Sequence, residues 1–481
     1  MEKPAGPLSL HPFPREAMTE MRKLFASLLA AFLAAGCTVG PDYKRPAISI
    51  PGSYRGDEAA KAEAASLGDQ KWWEVFRDEQ LQSLIRAALQ HNYDVRIAAT
   101  RILDAQAQLG ITRADQFPSV SGGAGLSSQR SARSPVFPPL QQSYGQFSLS
   151  AAWQLDFWGK YRRATEAARA SLLASEWGRR AVVSSLVASV ASSYFQLRAL
   201  DLQLEISKNA LTARRESLRL TTALSDRGNT SQLDVRQAEQ LVYTASEEIP
   251  DLERRIQQQE NFISTLLGDN PNPVSRGLRL TEQPHSPDIP ADLPSALLER
   301  RPDIRQAEQQ LVAFNAEIGV ARAAYYPEIS LTGSGGLQSD ALTRLFNGPS
   351  GLWNFGASLS QPIFTAGRIR AGVKSAEARQ QEALLVYQQT IQQSFRDVSD
   401  SLIAYKKNRE FREQQELLTA SAEDAARLSN IRYKGGVTSY LEVLTNETNY
   451  FSAQLNLAQA QANELLSLVN VYQALGGGWQ E

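Results

Sequence analysis

Two spacings of apolar residues alternate along this chain, one with the period of a strand and one with the period of a helix, and the whole alternation is written twice. Phe147, Leu149, Ala151, Trp153 and Leu155 occupy the odd positions of one run, and the even positions between them are serine or glutamine apart from Ala152. Such alternation predicts a strand with two unlike faces. Residues 353–360 repeat it, and the weaker, glycine-rich runs 119–128 and 328–337 are expected as partner strands. After each strand pair comes a long stretch without proline: 162–227 holds a single glycine, Gly178, and 368–434 holds a single one, Gly372. At about 1.5 Å per residue each predicts a helix of roughly 100 Å, too long for a compact globule. Shorter helices are expected over 79–116 and 295–325, stopped where Phe117-Pro118 and Tyr326-Pro327 disfavour helix. Return helices are expected over 232–267 and 440–475, with Pro250 breaking only the first.

The duplication is explicit in the residues. Asp94, Arg96, Gly110, Arg113, Pro118 and Ser121 recur 209 positions later as Asp303, Arg305, Gly319, Arg322, Pro327 and Ser330. Farther on, Gly228, Thr230, Ser231, Leu233 and Val235 recur 208 positions later as Gly436, Thr438, Ser439, Leu441 and Val443. Two copies of one unit are therefore expected. The first covers 79–268 and the second 295–476, with 269–294 as a connector containing six prolines and 477–481 as a C-terminal tail.

The strand pattern suits a transmembrane barrel, with an apolar parity for lipid and a small polar parity for water. Beyond Cys37 no apolar stretch is long enough for a membrane helix. Two strands per unit make four per chain, too few to seal a barrel with no open edge, so the chain is expected to oligomerise. In the long helices apolar residues such as Leu417, Leu418, Ala425 and Leu428 mix with Gln, Glu and Arg at heptad-like spacing. That suits a solvated coiled coil, and equally a helical wall in which each helix buries two flanks.

Charge narrows the picture little: 50 basic against 51 acidic side chains give a net charge of -1, so no nucleic-acid partner is expected. The single cysteine, Cys37, excludes an intrachain disulfide framework and a cysteine-based zinc site. It follows basic Arg22 and Lys23 and the short apolar run 24–35, which together read as an export signal over 1–36. Residues 1–17 lie outside the signal proper if the start is Met18, and residues 1–20 if it is Met21. Ala34-Ala35-Gly36-Cys37 resembles a bacterial lipobox, which makes Cys37 the expected site of a covalent lipid and 37–78 a lipidated N-terminal segment. After Cys37 there is no methionine, and His91 and His285 are the remaining imidazoles. With no Ser-His-Asp set, phosphate-cradling loop or metal cluster, an enzyme is not expected, and neither is a cofactor beyond that lipid.

Three segments carry a family resemblance: Cys37-Thr38-Val39-Gly40-Pro41-Asp42-Tyr43-Lys44-Arg45-Pro46, Asp156-Phe157-Trp158-Gly159-Lys160 and Glu299-Arg300-Arg301-Pro302-Asp303-Ile304-Arg305. With the duplication, they resemble the TolC-like outer-membrane factors of tripartite RND-type efflux pumps, in their OprM/NodT-like lipoprotein branch. The resemblance implies a mainly α, internally duplicated chain. Its trimer would form a twelve-strand transmembrane β-barrel continued by a long α-helical barrel in the periplasm. It implies an outer-membrane exit duct for drugs or other small molecules, energised by an inner-membrane transporter. Thr38 suits outer-membrane sorting of the lipidated chain. A periplasmic adaptor is expected to dock on the helix-to-helix turns, at Arg227, Gly228, Asn229, Thr230 and Ser231 and at Gly435, Gly436, Val437, Thr438 and Ser439. The resemblance puts the pore gate at Leu441, Glu442 and Thr445, with Tyr433 and Arg432 tying neighbouring helices when the pore is shut. Thr445 stands where an aspartate is common in the family. Glu442 is also open to a plainer reading as a charge on the first turn of its helix, and Tyr433 to one as a buried aromatic staple. Whole-protein alternatives are a periplasm-spanning coiled-coil strut without conduction and a stand-alone porin.

Overall fold

The computed structural model describes residues 38–55, 66–132, 138–284 and 294–480. The expected signal over 1–36, Cys37, His285 and part of the connector lie outside the described residues. The chain divides into two compact units: one takes the chain up to Arg45 with Gln106–Ser171 and Gln310–Ala383, and the other takes Pro46–Ala105, Leu172–Gln309 and Leu384–Glu481.

Each repeat follows the expected order, with one more break than expected. The first helix is two helices, α1 (Glu79–His91) and α2 (Tyr93–Ala114). Asn92 divides them because its side-chain oxygen accepts from the amides of Asp94 at 2.8 Å and Val95 at 3.2 Å, the bonding of a helix N-cap. The strands β1 (Ser119–Arg130) and β2 (Gln141–Leu155) follow, then α3 (Lys160–Asp226) and α4 (Gln232–Leu266). In the second repeat α5 (Pro294–Arg300) and α6 (Pro302–Ala323) divide at Pro302, a residue suited to the first position of a helix. Then come β3 (Glu328–Ser339), β4 (Gly351–Ser360), α7 (Arg368–Lys434) and α8 (Tyr440–Ala474). The two long helices, α3 and α7, have 67 residues each. The expected break at Pro250 is corrected: α4 runs through it without interruption. Proline forfeits one backbone bond there, and the buried stripe of Leu241, Val242, Ala245, Leu252 and Ile256 on either side holds the helix together.

The sheet-bearing unit holds all four strands, antiparallel in the order β1-β2-β3-β4, so β1 and β4 are open edges. Pairing puts Val120, Ala124, Leu126, Phe147, Leu149, Trp153, Leu331, Leu337, Phe355 and Leu359 on one face. The other face is serine, glycine, threonine, asparagine and glutamine along most of its length. The apolar face is exposed, with Leu126 75% and Phe355 71% accessible, the reverse of a soluble sheet with a covered core. At the foot of the sheet Trp158 stacks on Tyr326 at 4.7 Å and donates its indole N–H to the Pro327 carbonyl at 2.9 Å. Lys160 pairs with Glu328 at 2.6 Å beside them.

The segment beginning at Thr38 is docked against the same unit. The Val39 amide donates to the Trp158 carbonyl at 3.0 Å, Asn315 donates to the Pro41 carbonyl at 2.9 Å, and Arg163 pairs with Asp42 at 2.6 Å. Gly40 and Gly319 meet backbone to backbone, so a Cβ on Gly40 would stand 2.5 Å from the Gly319 Cα.

In the helical unit the core gathers around Asp78, which caps α1 and accepts from the Tyr194 hydroxyl at 2.8 Å and from Gln283 at 2.8 Å. The connector is thus partly ordered: Gly277 donates to the Tyr194 hydroxyl at 2.8 Å and Leu278 to Asp78 at 3.0 Å. Burial raises the Tyr194 phenol far above its ordinary range, which keeps it a proton donor to Asp78. Among the described residues no helix is long and apolar enough to cross a membrane.

Candidate functional site

The sites expected from sequence lie where α3 turns into α4 and α7 turns into α8. Both long helices end in the same way. At the first turn the Asn229 amide donates to the Leu224 carbonyl at 2.8 Å and Gly228 to Ser225 at 2.9 Å; at the second Val437 donates to Arg432 at 3.0 Å and Gly436 to Tyr433 at 2.9 Å. This paired bonding closes a helix only if the residue after the cap is left-handed, and Gly228 and Gly436 have φ of 76° and 69°. Ser231 then caps α4 by accepting from the Asp234 amide at 3.2 Å. Arg227, Gly228, Asn229, Ser231, Gly435, Gly436, Val437 and Ser439 are exposed, and Thr230 and Thr438 are half-buried.

The proposed gate residues fall into two groups. Leu441 and Thr445 are exposed on α8, one turn apart, and the Thr445 hydroxyl donates back to the Leu441 carbonyl at 2.9 Å. Glu442 is half-buried; its carboxylate accepts from the Thr438 hydroxyl and lies 3.6 Å from the Arg432 guanidinium. The first repeat makes the same local bond, from the Thr230 hydroxyl to Asp234. Tyr433 meets Tyr440 edge to face at 5.2 Å, and its hydroxyl lies 3.5 Å from the Thr230 hydroxyl, so it touches both hairpins.

Three groups that sequence reading missed complete the site. Tyr440 is 1% exposed and packs with Ala238 and Val443, against Leu218 and Tyr433, which joins all four helices. Its hydroxyl lies 3.3 Å from that of Ser217, and burial pushes the phenol pKa up. Arg214 is buried on α3 and donates to the Leu241 carbonyl on α4 at 2.9 Å and to the Glu447 carbonyl on α8 at 3.5 Å, with its guanidinium 4.5 Å from the Phe451 ring. Burial pulls its pKa down from the ordinary value. Asn430 donates to the Glu447 carboxylate at 2.7 Å, tying α7 to α8. An open groove of about 660 Å³ runs here, lined by Ser217, Leu220, Asn430, Tyr433, Lys434 and Glu447. The Asp234 equivalence was readable, since it stands 208 positions before Glu442; nothing marks Arg214 among the other arginines of a long helix.

The arrangement offers hydroxyls, the carboxylates of Asp234, Glu442 and Glu447, and exposed apolar tips at a turn, and no aligned nucleophile and base. Among the described residues no cluster of His, Cys, Asp and Glu is placed to hold a metal ion.

The family described as Outer membrane efflux protein matches residues 84–269 and again 293–477. The "Probable efflux pump outer membrane protein TtgC" of Pseudomonas putida is 36% identical over 467 residues, covering 96% of each chain. The "Probable outer membrane lipoprotein SilC" of Salmonella typhimurium is 34% identical over 458 residues, covering 95% of this chain and 98% of SilC. Among solved structures, the outer-membrane channel OprN superposes with a TM-score of 0.87 at 30% identity, covering 92% of this chain and 100% of that one.

Proposed function

The chain belongs to the outer membrane efflux protein family, and on that premise we propose that three copies assemble into the exit duct of a tripartite efflux pump. The observation that carries the proposal is the sheet: its apolar face is exposed, its other face is polar, and both edges are open. Lipid on one face and water on the other satisfy those surfaces, and sister copies satisfy the edges. Three copies supply twelve strands, the number carried by the family resemblance.

The duct is passive and catalyses nothing. A periplasmic adaptor docks at the two glycine turns and the adjoining groove, and an inner-membrane RND-type transporter supplies the energy and selects the cargo, drugs or other small molecules. Exposed Leu441 and Thr445 face the narrowing, and Glu442 adds an acidic ring partly restrained by Thr438 and Arg432. Adaptor contacts favour the open state by binding it more tightly than the closed one. Diacylglycerol on Cys37 anchors the chain; the docking of Thr38 to Asp42 at the foot of the sheet supports this, as does the description of SilC as a lipoprotein.

The test is single-channel recording in planar bilayers with purified full-length protein. The duct gives small, mostly closed currents that grow when the tip is loosened by substitution at Tyr433. A strut gives no current in either form, and a stand-alone porin conducts steadily in both.

A further inference from the structure

The helical unit carries a group of indoles and guanidiniums that the duct does not use. An open cleft of about 410 Å³, large enough for a small ligand, is lined by Trp72, Trp73, Trp479, Arg86, Arg179 and Gln480 among others. Trp72 and Trp73 meet edge to face at 5.2 Å, so their ring faces point in two directions. The third indole comes from the C-terminal tail, and the tail is fixed. Ser184 donates to the Gly477 carbonyl at 2.6 Å, and the Arg180 guanidinium lies 4.2 Å from the Trp177 ring and 5.1 Å from the Trp479 ring. Arg86 is exposed, stands 5.8 Å from the Trp72 ring and donates to the neutral Gln82 at 3.1 Å. Lys71 adds a second cation 4.9 Å from the Trp73 ring. No carboxylate is among the lining residues, and Glu74 turns its own back to the Lys71 amide at 3.2 Å.

The internal duplication separates this group from the needs of the wall. α3 and α7 correspond at an offset of 208, since they span Lys160–Asp226 and Arg368–Lys434. On that offset Trp177, Arg179 and Arg180 correspond to Leu385, Tyr387 and Gln388, and Trp479 corresponds to Pro271. Each repeat therefore builds its long hairpin without the other's matching indole or arginines, and packing of the hairpins alone does not call for them.

We propose that the cleft binds an acidic glycan, a sugar chain that carries carboxylates, as the cell-wall polymer of the periplasm does. A sugar ring presents a flat C–H face that an indole face covers, and the two orientations of Trp72 and Trp73 suit successive rings of a chain. A guanidinium donates paired N–H bonds to a carboxylate, and Arg86 has no carboxylate partner among the described residues. Gln480 donates to the Gly68 carbonyl at 3.5 Å, which leaves its side-chain oxygen to accept from a hydroxyl. An acyl chain would instead need an enclosed apolar sleeve, and this cleft is open and rimmed by cations. The glycan site goes beyond the duct reading and rests on it only for the compartment, since the helical tunnel stands in the periplasm.

Co-sedimentation of detergent-purified full-length protein with protease-stripped cell-wall sacculi tests the site. The soluble competitor is the disaccharide tetrapeptide that a muramidase releases from sacculi, and chitobiose, which has no carboxylate, is the comparator. Trp73→Leu and Arg86→Gln alter a half-buried and an exposed side chain of the cleft, and Arg101→Gln removes an exposed charge on α2 outside it. Wild-type protein should pellet saturably, and each cleft variant should bind about tenfold more weakly or worse, the effect of losing one charged hydrogen bond or one stacked ring. Arg101→Gln should match the wild type, and the tetrapeptide should compete at least about tenfold better than chitobiose. Should Trp73→Leu fail to fold, Arg86→Gln decides alone. The site is overturned if the wild type does not pellet, if a folded cleft variant binds as the wild type does, if Arg101→Gln loses as much, or if chitobiose competes equally. Stronger competition by phosphatidylglycerol micelles than by the tetrapeptide also overturns it and assigns the cleft to a lipid headgroup. None of these results alters the channel recordings described above, so the glycan site can fail while the duct stands.

Discussion

Glu442 shares its environment with its counterpart in the other repeat: each turn carries a threonine bonded to a carboxylate four residues on, Thr438 to Glu442 and Thr230 to Asp234. A local bond therefore occupies part of each carboxylate, and charge in the pore is what remains to be measured. Glu442→Gln should lower the cation-to-anion permeability ratio in bilayers severalfold while leaving assembly intact. An unchanged ratio with lowered thermal stability would identify Glu442 as a helix-end group alone. Arg214 acts differently, because one buried guanidinium reaches carbonyls on α4 and α8. Arg214→Met removes both bonds, and at about 1.5 kcal/mol for a charged donor the closed-state leak should rise by roughly tenfold. Leak at the wild-type level would show that this tie does not restrain the hairpins.

At the scale of elements, the glycine turns give the simplest stability test. Gly228→Ala and Gly436→Ala force a Cβ into left-handed backbone at φ 76° and 69°. Neither position has an atom within 4 Å of an added Cβ, so the cost is conformational, about 1 kcal/mol each. Limited proteolysis should cut the altered turn faster, with the rest of the chain unchanged. Strands and long helices were legible because Phe147 to Leu155 alternates cleanly and residues 162–227 contain no proline. The division at Asn92 was not legible, since an asparagine caps a helix only when its side chain turns onto the amides two and three residues ahead. Pro250 misled for the opposite reason: its local cost is real, and tertiary packing along α4 outweighs it. Of the candidate site, the turns could be read from their repeated Gly-x-Thr-Ser spacing. Tyr440 and Arg214 could not, because their roles come from helices distant in sequence.

For the whole molecule, the polar face of the sheet is the surface that the proposed duct turns toward its traffic. Across β1 to β4 its residues are serine, glycine, threonine, asparagine and glutamine apart from Tyr144, Ala152 and Leu352, and the carboxylate of Glu328 at the foot is held by Lys160. Ser148→Asp would place one fixed charge per copy on that wall and should raise cation preference well above that of the parent duct. A reversal potential identical to the parent's would mean that this face does not line the conducting path. A lining of short hydroxyls and bare backbone trades hydrogen bonds with water as readily as water does with itself, so a passing solute gains nothing by pausing there. In the proposed duct such a wall is in effect non-stick, indifferent to whether its traffic is greasy, charged or bulky, and the choice of cargo falls to the transporter proposed above.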